Sequence, residues 1–132
     1  MSPSLAIAFE GDRKNFEPGE TVRGRALWLL ETAPEALEVR LFWHTQGKGD
    51  TDLGIVAVAR FEQPGELGER PFELALPMRP WSCSGRLVSI LWSLEIVALP
   101  REDVQRFPIV VGPAGRETDL RAVGTPADDA RA

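Results

Sequence analysis

The feature that most constrains this chain is a period-two alternation of apolar with polar residues, broken repeatedly by glycine and proline. Leu5, Ile7 and Phe9 point one way while Ala6, Ala8 and Glu10 point the other, the signature of a half-buried strand. The same reading predicts strands over residues 4–10, 21–31, 37–44, 53–62, 70–76, 86–99 and 104–111. In the third, Leu37, Val39, Leu41 and Trp43 oppose Glu38, Arg40, Phe42 and His44; in the sixth, Val88, Ile90, Trp92, Leu94 and Ile96 are inward and Ser89, Ser93 and Glu95 outward. In the fourth, Ile55, Ala57, Ala59 and Phe61 share one face. Pro18 and Gly19 suit the central positions of a type II turn. No stretch keeps a helical period. Seven to eight strands with frequent turn signals predict an all-β chain, an antiparallel β-sandwich of immunoglobulin-like kind.

Composition removes several functions. Twenty acidic residues against fifteen basic, with no basic cluster, argue against nucleic acid as a partner. One cysteine, Cys83, forms no internal disulfide, and with the single histidine, His44, it is too little for a structural metal site. No cofactor is expected. The chain has no apolar run long enough to span a bilayer, and Met1-Ser2-Pro3-Ser4 lacks the basic-then-apolar pattern of a secretory leader. A cytoplasmic protein without stable membrane insertion is therefore expected. Residues 1–112 are read as the folded domain. Residues 113–132, with Leu120 and Val123 as their only large aliphatic side chains, are read as a flexible C-terminal tail, with a short binding motif as the functional alternative.

Three stretches, in order, carry a family resemblance. Leu5-Ala6-Ile7-Ala8-Phe9 leads through Arg13-Lys14-Asn15-Phe16 to Glu17-Pro18-Gly19-Glu20-Thr21-Val22-Arg23-Gly24-Arg25-Ala26; Leu37-Glu38-Val39-Arg40-Leu41 follows; Leu76-Pro77 runs through Pro80-Trp81-Ser82-Cys83-Ser84-Gly85 to Ile90-Leu91-Trp92-Ser93-Leu94-Glu95-Ile96. Together they resemble the N-terminal lobe of arrestins and arrestin-related proteins, including bacterial single-lobe relatives. The resemblance implies an arrestin-like sandwich and an interaction or scaffold role. It departs at Trp92, where a tyrosine is usual, and at Cys83, where a bulky aromatic often follows the serine. The lysine pair with which arrestins sense phosphate has no counterpart before Leu5, so phosphoreceptor recognition is not implied.

Candidate chemistry is sparse. His44 with Cys83 suggests a thiol and its base, but no orienting acid accompanies them, and the strand-to-helix context of a nucleophile elbow is missing. Asp50, Asp52, Glu62, Glu66 and Glu69 lack the spacing of a calcium loop and read as solvated charges. Trp28, Trp43 and Trp92 are in phase with apolar faces and read as core. Trp81 stands apart in a loop with Met78 and Arg79, a combination enriched at protein interfaces. The expected function is a non-enzymatic module binding a protein or peptide partner through Met78, Arg79 and Trp81, with Arg13 and Lys14 as rim charges. The alternative is a small-molecule or carbohydrate-binding sandwich with a pocket lined by Trp28 or Trp43. An edge strand free of lysines and bulges accepts a strand from another chain, and the doubly apolar residues 27–30, with Val56 and Val58, mark where a homodimer would form.

Overall fold

The computed structural model describes residues 4–47, 52–85, 88–101 and 103–119. Seven long strands carry the fold: β1 (Ser4–Phe9), β3 (Thr21–Leu29), β4 (Ala36–Gly47), β5 (Leu53–Glu62), β6 (Leu67–Ala75), β8 (Val88–Leu99) and β9 (Asp103–Val111). Three two-residue strands, β2 (Asn15–Phe16), β7 (Cys83–Ser84) and β10 (Thr118–Asp119), fasten the loops. One sheet has the order β1-β3-β6; the other runs β5-β4-β8, and the far side of β8 is shared by β7 and β9. All pairings of long strands are antiparallel, so the molecule is an antiparallel β-sandwich.

The core forms where the inward faces meet. Leu5, Ile7, Phe9, Val22, Ala26, Trp28, Phe72 and Leu74 pack from one sheet against Leu37, Val39, Leu41, Trp92, Leu94, Ile96, Ile109 and Val111 from the other. Each large side chain so buried contributes about 1.5–3 kcal/mol. The inward position at Gly24 pairs with Phe9 on one side and Phe72 on the other; a Cβ there would stand 2.5 Å from the Ala8 carbonyl oxygen and 3.1 Å from the Phe72 ring. The predicted turn is present: Gly19 has φ +82° and the Glu20 N–H donates to the Glu17 carbonyl at 3.1 Å.

Several local expectations are corrected. Val56 is a bulge in β5, because Leu41 pairs with Ala57 and the next residue, Phe42, with Ile55. The bulge moves Ile55 off the face of Ala57, Ala59 and Phe61 and leaves it exposed. β5 is an edge as expected, but a bulged one, and the doubly apolar residues 27–29 lie in β3, the central strand of their sheet, where no strand can be added. Phe42, expected to face outward in water, is buried because the Arg106 guanidinium lies 4.8 Å over its ring and His44 stacks on it at 5.9 Å. Ser93 and Val97 are buried on that same outer face. Trp43 is half-buried against the core, whereas Trp28 and Trp92 are inside it. Past Gly112 the chain makes a 3-10 turn at Pro113–Gly115 and pairs β10 with β7. The first part of the expected tail is thus placed on the fold, and the remainder, from residue 120, lies outside the described residues.

Candidate functional site

The loop of residues 76–82 crosses the end of the sandwich where β6 stops and β7 begins, and hydrogen bonds from four directions hold it. The Leu76 N–H donates to the Glu20 carbonyl at 2.8 Å, and the Gly19 N–H to the Pro77 carbonyl at 3.2 Å. The buried Trp92 indole donates to the Pro80 carbonyl at 3.0 Å. Ser82 joins the loop to β9: its N–H donates to the Val111 carbonyl at 2.7 Å, and its hydroxyl oxygen accepts from the Val111 N–H at 2.9 Å. Its carbonyl also accepts from the Thr118 N–H at 3.0 Å.

On this fixed frame Met78 is 66% exposed and Trp81 43%. The Trp81 indole donates to the Met78 carbonyl at 2.8 Å, so the ring is held at the surface over its own loop and is not folded into the core. Arg79 is exposed beside them. The turn of residues 17–20 brings Arg13 to the same end: its guanidinium gives two bonds of 2.5 Å to Glu20 and lies 4.8 Å over Phe16. The Arg13 hydrogen bonds and the Glu17 N–H hold the Glu20 carboxyl below the usual carboxylate range. Arg13 is therefore matched internally, while the exposed Lys14 and Arg79 have no ion-pair partner among the described residues. All five predicted residues lie at this end. Ser82 and the Trp92 indole N–H, which fix the loop, were missed; the only signal in the sequence was their position within the stretches that carry the resemblance.

The other candidates do not converge. Cys83 pairs with Ile90 and His44 with Leu91, successive residues of β8 whose side chains point to opposite faces, so thiol and imidazole are separated by the sheet. His44 Nδ1 is buried without a hydrogen-bond partner among the described residues, in a shallow depression it shares with Leu91, Arg106, Pro108 and Glu117. Asp50 lies outside the described residues, and no group of three metal-binding side chains occurs among those described. Trp28 is buried with its N–H on the Gly65 carbonyl at 3.1 Å. Neither it nor Trp43 lines either of the two concavities described, so the pocket expected around them is not formed there; the tryptophan that lines one is the buried Trp92, in the depression beside His44.

The larger concavity, about 520 Å³, opens at the opposite end, between the connection of residues 30–35 and the turn joining β8 to β9. β9 runs from this cleft to the Trp81 loop over nine residues, about 26 Å at strand rise.

The fold places the chain among all-β sandwiches of the arrestin-like type. Among solved structures it is similar to Spo0M, a sporulation control protein from Bacillus subtilis, with a TM-score of 0.57 and 19% identity over 86% of this chain and 50% of that one. The chain thus spans half the length of that protein. A β-glucosidase from Listeria innocua, solved with gluconolactone, gives a TM-score of 0.47 at 18% identity over 85% of this chain and 16% of that one, too distant to bear on function. No protein-family model and no curated protein sequence matches the chain. Among the described residues, no helix is long and apolar enough to cross a membrane.

Proposed function

We infer that this chain is a non-enzymatic interaction or scaffold module of the cytoplasm that docks a protein or peptide partner through the loop of residues 77–82. The observation that carries this reading is the exposure of Met78 and Trp81 on a backbone already fixed by hydrogen bonds. A flexible aromatic loop loses conformational entropy on binding, whereas a fixed one presents its anchors at lower cost. The lone thiol, buried and without a disulfide partner, suits a reducing compartment.

Quantitative affinity capture from the native host, comparing wild type with Trp81→Ala and Met78→Ser, tests the reading. Selective loss of the same captured proteins in both variants supports it. An unchanged set removes this loop as the docking surface.

A further inference from the structure

The cleft at the other end of the molecule combines an apolar floor with a rim of one charge. Leu5, Leu30 and Ala98 form the floor where the two sheets part, and Leu99 and the exposed Val104 line its outer side. Glu31, Glu35 and Asp103 stand exposed around it, opposed among the described residues only by Arg101. None of the three carboxylates has an ion-pair partner among the described residues. On the sheet faces the pattern differs: Glu69, Glu73, Glu38 and Glu95 are each matched to an arginine. The unmatched anionic rim favours a cation, and the floor favours apolar side chains beside it. Its volume lies within the range of specific binding sites.

The surroundings select a polypeptide over a small amine. β9 is bonded to β8 on one side, and β2 reaches its other side only at Val110 and Val111. From Asp103, at the mouth of the cleft, to Phe107 that outer edge offers unpaired backbone groups among the described residues, ending at Pro108, which has no N–H to give. An extended segment can seat an apolar side chain in the cleft, set lysines or arginines against the rim and continue along β9 by main-chain hydrogen bonds.

We propose that this cleft is a second docking site, distinct from the Trp81 loop, for an extended peptide segment of a partner that alternates basic and apolar residues. It does not depend on the function inferred for the loop, which lies at the far end of β9.

The test is fluorescence anisotropy on the full chain with a fluorescein-labelled peptide of alternating lysine and leucine, and with its glutamate-for-lysine counterpart. Wild type binds the first and not the second. The triple variant Glu31→Gln, Glu35→Gln, Asp103→Asn weakens binding about tenfold, as does Leu30→Asn, which alters the floor without changing charge. The triple variant Glu10→Gln, Asp12→Asn, Glu17→Gln removes as much charge from the other end and leaves binding within about twofold, as does Trp81→Ala. Equal losses in the two triple variants would reduce the effect to net charge and overturn the proposal. So would binding of the glutamate peptide, binding lost only in Trp81→Ala, or no binding of the lysine peptide at all. Circular dichroism confirms that each variant is folded before it is scored.

Discussion

The side chain of Ser82 gives the sharpest test of whether the Trp81 loop is a fixed platform. Its hydroxyl oxygen accepts the N–H of Val111, a residue with 0% exposure, at 2.9 Å. Ser82→Ala removes one oxygen and no carbon, so almost no packing is lost. It does leave a buried backbone donor without its acceptor, which costs about 1–3 kcal/mol. With a urea m-value of about 1.5 kcal/mol/M, a loss near the middle of that range moves the unfolding midpoint down by about 1 M. Trp81→Ala provides the contrast. It deletes a far larger side chain, but one that is 43% exposed and bonded only to the Met78 carbonyl. Its stability change is expected to be about 1 kcal/mol or less. Urea titrations followed by circular dichroism measure both without relying on the tryptophan signal being altered. If Ser82→Ala lies within about 0.5 kcal/mol of wild type while Trp81→Ala is the more damaging, the loop is not held as described and the preorganisation argument fails.

Three further outcomes follow from the sheets. Glu38, with a side chain only 14% exposed, is pushed up by burial, but the Arg60 and Arg40 hydrogen bonds outweigh that and hold its pKa below the usual carboxylate range. Its contribution is therefore complete above the ordinary carboxylate pKa and is lost as pH falls through the depressed one. Glu38→Gln should lose about 1–2 kcal/mol at neutral pH, with the difference from wild type vanishing in acid; a difference that persists in acid would contradict the pairing. Gly24→Ala should cost about 1–3 kcal/mol by overpacking between the Ala8 carbonyl and Phe72, and an unchanged melting temperature would show that the inter-sheet space is looser than described. On the β5 edge, the Val56 bulge interrupts the ladder while Val58 stays exposed. Sedimentation should accordingly show dimers only at high micromolar concentration and none in Val58→Lys, and a tight dimer surviving that substitution would lie on another surface.

The limits of reading such a chain follow from how far each signal reaches along the sequence. Alternation over six or more residues located every long strand, because one wet and one buried face leave their record locally. β2, β7 and β10 are two residues long, too short for any period: β2 exists because β9 runs parallel beside it, β7 because it lies antiparallel to β8, and β10 because it runs parallel to β7. The bulge at Val56 depends on register against β4, and a run of small and β-branched residues carries no mark of it. The burial of Phe42 is longer in range still, since Arg106, 64 residues away in sequence, covers the ring while bonded at 2.8 Å to Glu95.

The two candidate sites divide along the same line. Met78, Arg79 and Trp81 are neighbours in the chain, out of phase with any strand, and so stood out at once; the bonds that fix them come from Glu20, Trp92 and Val111. The cleft had no such signal. Its carboxylates come from the connection before β4 and from the start of β9, separated by about half of the chain, and each, taken alone, reads as a solvated charge. They become a rim only because β3 hands over to β4 at the place where β8 turns into β9. For a sandwich of this kind, anchors carried on one loop can be found in the sequence, whereas a site assembled from strand ends requires the register of both sheets. The cleft therefore needs the peptide titration more than the loop does, because no local pattern in the sequence supports it independently.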